Sequence, residues 1–199
     1  MEIVLRNYDP RFFMQWPFGV LMGLQTILSA VSLVAFYFAP FRYEGTELTI
    51  GILIFLLVFS IIENIIHVTG LQRQIFNIRN RFRAIPASLC VFLTSIVSLV
   101  GLAISTLVVF VGFIDSLRFS PLLITVYAIL TVTCSILTYA CGKIVVLLYR
   151  ETPNGQVLKL LEVVIEGDAA TRYRIPVAAT PTANPYPGTN AATITNAFL

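Results

Sequence analysis

The stretch that decides the fold is residues 87–114, ASLCVFLTSIVSLVGLAISTLVVFVGFI, which contains no Asp, Glu, Lys or Arg. An apolar run of more than about 18 residues is long enough to cross the hydrocarbon core of a bilayer as an α-helix. Three further apolar runs flank it, so the sequence predicts four transmembrane helices, over residues 18–38, 48–69, 87–114 and 122–149. The predicted fold is an all-α four-helix transmembrane bundle over residues 18–150.

The composition agrees with this assignment. The chain of 199 residues is 57% hydrophobic and only 12% charged, and its mean hydropathy is +0.87. A soluble domain of this size would expose more apolar surface than it could hide. The arginines are not accompanied by a soluble basic module, so a nucleic-acid partner is not expected.

The distribution of arginines predicts the orientation. The middle connection contains four of them, Arg73, Arg79, Arg81 and Arg83, whereas each outer connection contains one, Arg42 or Arg118. Short loops rich in Arg and Lys stay in the cytoplasm. We therefore expect both termini to be cytoplasmic, in a vesicle or plasma membrane, and the loop arginines to contact anionic lipid headgroups.

The outer connections are too short to form a folded extracellular domain. The three cysteines, Cys90, Cys134 and Cys141, all lie within predicted spans, and none forms a CxxC pair. These features disfavour a disulfide-stapled receptor or adhesion protein and a dithiol redox enzyme. Interaction is expected within the bilayer or on the cytoplasmic side, and no cofactor or metal site is predicted.

An intramembrane polar cluster is the most unusual feature of the spans. Glu63, Asn64 and His67 lie in the second helix, with Glu63 and His67 on one face because they are four residues apart. Ionisable groups in a bilayer are costly and call for a partner. Lys143 of the fourth helix is expected at a similar depth, which predicts a Glu63–Lys143 contact. The alternative is a proton or ion relay.

Small residues at helical spacing predict close helix packing. The first helix has Gly19 and Gly23 in a GxxxG pattern, and the third has Ser98, Gly101 and Ser105. These faces either pack the four helices of one subunit together or receive a lateral partner, such as another membrane protein or a second copy.

The segments outside the bundle have different characters. We expect residues 1–17 to form a cytoplasmic N-terminal segment and residues 151–168 to form a short amphipathic segment along the membrane surface, helical or partly extended at residues 163–165. Residues 169–199 are rich in Pro, Ala, Thr and Asn and predict a flexible, disordered tail. In that tail Tyr186 is a candidate for an adaptor, and the ending with Ala197 and Leu199 fits capture by a PDZ-type domain; a plain spacer is the alternative.

The chain resembles the MARVEL-type tetraspan family. The resemblance rests on four spans, cytoplasmic termini, small outer loops and the stretch FFMQWPFGVL at residues 12–21, followed by Gln25. The resemblance covers about residues 10–150. It implies a role in vesicle trafficking, membrane apposition or membrane organisation, and no catalytic residues come with it. The outer loops lack the cysteines of junctional members, which argues against adhesion.

Three hypotheses about function remain. The first is a noncatalytic protein that organises membranes or takes part in trafficking through lateral helix packing and its cytoplasmic tail. The second is an accessory subunit of a channel, transporter or larger membrane complex. The third is a small intramembrane transporter or enzyme built on Glu63, His67 and Lys143, although these residues lack the nucleophile and base, or the metal-ligand set, of a catalytic site. We expect the protein not to be an enzyme.

Overall fold

Four long helices form the body of the protein. The computed structural model describes residues 11–71, 75–78, 81–84, 87–152 and 157–172. The helices are α1 (Phe18–Tyr37), α2 (Thr46–Val68), α3 (Ala87–Ser116) and α4 (Pro121–Arg150), and each is long and apolar enough to cross a membrane. The chain is therefore a multi-pass integral membrane protein, and the predicted four-helix bundle is confirmed.

Local sequence explains where two of the helices begin. α4 starts with Pro121 in its first turn, where a missing amide hydrogen costs nothing, and the hydroxyl of Ser120 accepts a hydrogen bond from the amide of Leu123 at 3.4 Å. α2 starts after Gly45, whose φ is +85°. A Cβ there would also lie 3.3 Å from a methyl group of Val108, so glycine suits this turn for two reasons.

The four helices pack in a ring. α1 and α3 each pack against both α2 and α4. Helices α2 and α4 consequently face each other diagonally across the bundle. This order decides which polar side chains can meet in the interior.

The ends of the bundle differ. The starts of α1 and α3 and the ends of α2 and α4 lie together at one end, called here the termini end; the short connections at residues 38–45 and 117–120 form the loop end. At the loop end the hydroxyl of Tyr127 accepts a hydrogen bond from the amide of Tyr43 at 3.3 Å, and the two rings meet edge to face with centroids 5.2 Å apart. The first connection is thereby fixed to α4.

A short antiparallel hairpin follows α2. Strand β1 (Ile75–Ile78) pairs with β2 (Arg81–Ala84), with Ile75 opposite Ala84 and Ile78 opposite Arg81. The predicted basic loop thus contains regular backbone pairing, which its sequence did not predict.

A second small unit closes the termini end of the bundle. It consists of a 3-10 segment (Val157–Glu162), strand β3 (Val163–Ile165) and strand β4 (Ala170–Arg172), which pairs antiparallel with β3. We call residues 157–172 the cap. The predicted boundary between an amphipathic segment and a tail at residue 168 falls inside this hairpin, so it has to move beyond residue 172.

The cap packs against the bundle. The side chains of Leu160 and Ile165 are fully buried, and Val163 and Val164 are nearly so. They share a core with Phe12 and with three helices, made of Phe12, Phe18, Leu21, Met22, Val91, Phe92, Ala140, Ile144, Leu148, Leu160, Val163 and Ile165. Part of the apolar side of this segment thus covers a protein surface, and its position along the membrane surface stays a prediction.

Candidate functional site

The predicted polar residues of α2 all lie inside the bundle near its termini end. Glu63, Asn64 and His67 are 6%, 7% and 3% exposed, respectively. Gln25 of α1 is equally buried, at 2%. Polar side chains on inner helix faces form one layer of the interior, which we call the polar layer.

Asn64 fastens α2 to α1. Its Nδ2 donates a hydrogen bond to the hydroxyl of Thr26 at 2.7 Å. The same hydroxyl lies 2.5 Å from that of Ser60, one turn earlier on α2, and also bonds the carbonyl oxygen of Met22 at 3.2 Å. Polar groups that would be costly in lipid are thus satisfied between helices.

Gln25 joins α1 to α4. Its Nε2 donates to the sulfur of Cys141 at 3.1 Å, and both side chains are buried. The sequence pattern predicts no contact for Gln25 or Cys141, nor for Thr26 and Ser60. The signal that would have revealed them is the presence of isolated polar residues in otherwise apolar runs.

Glu63 is only partly satisfied within the polar layer. Its carboxyl group has a hydrogen bond with the side chain of Thr94 in α3. Its Oε1 is buried and has no hydrogen-bond partner among the residues that the structure describes. A buried carboxyl group in this situation is a source of instability.

The predicted Glu63–Lys143 contact is wrong. Both residues are described, and no ion pair or hydrogen bond joins them. The ring order explains this result, because α2 and α4 lie diagonally and each packs on α1 and α3 instead. Lys143 is half-buried on its own side of α4.

His67 packs on an aromatic ring from the N-terminal segment. Its imidazole stacks on Phe12, with ring centroids 5.4 Å apart and planes 2° from parallel. Phe12 belongs to a 3-10 turn, Phe12–Met14, that folds back over the start of α1. His67 therefore helps to seat this N-terminal turn.

The small residues of α1 and α3 are used within the chain. A Cβ on Gly19 would collide with the carbonyl group of Phe12, and one on Gly23 would lie 3.2 Å from the ring of Phe13. The N-terminal turn thus occupies the GxxxG face that a lateral helix would need.

On α3, a Cβ on Gly101 would lie 2.8 Å from Ile52 of α2. Ser98 and Ser105 are 1% and 0% exposed, and their hydroxyls have no hydrogen-bond partner in the described part of the chain. These serines act as small residues that let helices approach.

Some predicted sites fall outside what the structure describes. Arg73 and Arg79 lie outside the described residues, and for Arg81 and Arg83 only the backbone, in β2, is described. The tail positions Tyr186, Ala197 and Leu199 also lie outside the described residues.

The cap is tied to the bundle by backbone and side-chain hydrogen bonds. The amides of Phe18 and Gly19, at the start of α1, donate to the carbonyl oxygen of Gly167 at 2.8 and 3.1 Å. The hydroxyl of Ser88, at the start of α3, bonds the carbonyl oxygens of Leu160 and Val163 at 2.5 and 2.6 Å. The first of these contacts satisfies amides that a helix start leaves without intrahelical partners.

Within the described residues, no group of three His, Cys, Asp or Glu side chains is placed to hold a metal ion. A comparison with protein-family models, with curated proteins and with solved structures finds no match to this chain.

Proposed function

We propose that this protein is a noncatalytic tetraspan membrane protein of the MARVEL type, which organises membranes or takes part in trafficking by packing laterally against neighbours in the bilayer. The observation that carries the proposal is that the polar layer joins the helices of the bundle to one another. Asn64, Thr26 and Ser60 bond one another, and Gln25 bonds Cys141, so these groups fasten helices together. A bundle fastened in this way presents a stable outer surface to lipid and to membrane proteins.

The proposed orientation places both chain ends in the cytoplasm. Support comes from the four arginines between α2 and α3 and from the cap, which packs the segment after α4 against the start of α1. The basic hairpin, the N-terminal turn and the cap then share the leaflet that is rich in anionic lipid.

A second candidate is an accessory subunit of a larger membrane complex, and the outer face of α4 favours it. Ser135, Tyr139 and Lys143 follow one another at intervals of four residues and so share a face. Tyr139 is 64% exposed and lies about 17 Å along the helix from Arg150, near the centre of the bilayer. A phenol hydroxyl facing hydrocarbon at that depth is stabilised by a polar neighbour.

Extraction into native lipid particles separates the two candidates. We expect the organiser to be recovered alone or with copies of itself, in multiples of 22.1 kDa. The accessory role would instead be established by recovery with a larger protein at fixed stoichiometry. That recovery should be lost in Tyr139→Leu and retained in Val132→Leu, which changes another exposed position of α4.

A flux measurement tests the noncatalytic part of the proposal. Purified protein in sealed vesicles containing a pH-sensitive dye is expected to leave the proton leak of empty vesicles unchanged, with or without a membrane potential. A flux that Glu63→Gln abolishes would replace the proposal with a transporter.

A further inference from the structure

A groove runs between α1 and α2 on the outward, lipid-facing surface. It has a volume of about 660 Å³, within the range of roughly 300–1,000 Å³ typical of ligand sites. Its walls are the apolar side chains Val20, Leu24, Ile27, Ile61, Ile65 and Val68. We call it the lateral groove.

The floor of the lateral groove is fixed. Thr26 and Asn64 contribute to the lining, and the hydrogen bond of 2.7 Å between them holds α1 and α2 at a constant separation. Gly23 also lines the groove and has no side chain of its own, and the ring of Phe13 packs beside it. The groove is therefore a built feature of the helix pair, and its apolar walls suit hydrocarbon.

The length of the groove identifies the kind of occupant. The lining residues span positions 20–27 of α1 and 61–69 of α2, which are about 11 and 12 Å along the helix axes. One leaflet of the hydrocarbon core is about 15 Å thick. A transmembrane helix would need a face along both leaflets, whereas a lipid acyl chain needs one leaflet only.

The end of the groove that faces the termini end has a basic residue beside it. Phe13 and Thr69 line that end. Arg11 is exposed and lies two residues before Phe13 in the sequence. An acyl chain in the groove would bring its glycerol and phosphate to this end of the groove.

We propose that the lateral groove binds one acyl chain of an anionic glycerophospholipid, with the headgroup held by Arg11. Moving an acyl chain from bulk lipid into an apolar groove gains little by the hydrophobic effect, since both surroundings are hydrocarbon. Selectivity therefore comes from the headgroup: one basic residue near an anionic lipid adds about 1 kcal/mol, which is about a five-fold preference. The inference is independent of whether the protein is an organiser or an accessory subunit.

Photolabelling of the full-length protein tests the site. The probes are phosphatidylserine and phosphatidylcholine carrying a photoreactive group on one acyl chain, each as a trace component of phosphatidylcholine nanodiscs. We expect the serine probe to label residues 20–27 and 61–69 saturably, and unlabelled phosphatidylserine to compete about five times better than phosphatidylcholine. Labelling spread evenly over the lipid-facing residues of all four helices would overturn the proposal.

Matched variants give the second arm of the test. Ile27→Trp places a large ring in the groove from its lipid-facing side, and Val34→Trp makes the same change two turns along α1, at a similarly exposed position outside the groove; the two residues are 63% and 57% exposed. We expect at least a five-fold loss of groove labelling in Ile27→Trp and none in Val34→Trp. In Arg11→Gln the serine probe should lose its preference while labelling by the choline probe stays constant. Equal labelling in the two tryptophan variants, or an unchanged preference in Arg11→Gln, would contradict the proposal.

Discussion

The docking of the cap makes a prediction about Ser88 that can be worked out from the structure. The hydroxyl of Ser88 is fully buried and bonds the carbonyl oxygens of Leu160 and Val163 at 2.5 and 2.6 Å. Ser88→Ala removes the single hydroxyl hydrogen that these two carbonyl oxygens share. A buried polar group left without its partner costs about 1–3 kcal/mol, and we expect this cost to fall on the attachment of the cap.

Hydrogen exchange measures the effect where it arises. If the cap opens from the bundle before its amides exchange, 1–3 kcal/mol corresponds to exchange about 5- to 140-fold faster over residues 160–172. Ser98→Ala is the matched control, because Ser98 lies on the same helix, is 1% exposed, and its hydroxyl has no hydrogen-bond partner among the described residues. In the Ser98→Ala variant, the cap amides should exchange at the same rate as in the unmodified protein.

The opposite result would refute the reasoning about the cap. If the cap amides exchange as slowly in Ser88→Ala as in Ser98→Ala, the hydroxyl of Ser88 does not hold the cap. If both variants speed exchange, the effect belongs to α3 as a whole and not to the bonds at its start.

Three further substitutions test the interior of the bundle by thermal unfolding in detergent, where 1 kcal/mol shifts the midpoint by about 2–4 °C. Glu63→Gln should keep or raise the midpoint, because it removes a buried ionisable group from the interior of the bundle; a fall of several degrees would show that the carboxyl group, which hydrogen-bonds Thr94, stabilises the bundle. Gly19→Ala should lower it by an amount equivalent to about 1–3 kcal/mol, since the new methyl group meets the backbone of the N-terminal turn, whereas Gly51→Ala, with nothing within 4 Å, should not; equal midpoints would contradict the packing of that turn. Tyr127→Phe should cost about 0.5–1.5 kcal/mol through the lost bond from the amide of Tyr43, and an unchanged midpoint would show that this bond adds nothing.

The helices were predictable because their signal is local. The runs predicted at residues 18–38 and 87–114 correspond to Phe18–Tyr37 and Ala87–Ser116 in the structure, since length and the absence of charge decide whether a segment can span a bilayer. Helix boundaries shifted by at most two residues, where a turn or cap residue sets the end.

The arrangement of the helices was not predictable in the same way. The expected Glu63–Lys143 contact assumed that residues at similar depth meet, but depth does not fix the order of helices around a ring. That order depends on packing among distant residues, such as Gly101 against Ile52. The sequence identified which polar residues lie in the bilayer and could not identify their partners.

The sequence predicted the cap only in part. The pattern at residues 156–166 predicted an amphipathic helix with an extended alternative at residues 163–165, and the structure contains a 3-10 segment followed by a strand there. What the pattern could not show is the surface that covers its apolar side. That surface is built from the start of α1, the start of α3 and the end of α4, which come together only in the folded chain.

The central claim is that four crossings place the cap and the start of α1 on one side of the membrane and the loop end on the other. Two single-cysteine variants test this claim: Leu158→Cys in the cap, where Leu158 is 75% exposed, and Arg118→Cys in the second outer connection, where Arg118 is exposed. Each variant is treated with a membrane-impermeant maleimide in sealed vesicles of known orientation. The unmodified chain gives the background labelling. We expect Leu158→Cys to react only from the cytoplasmic face and Arg118→Cys only from the opposite face. Reaction of both cysteines from the same face would contradict the four-span arrangement.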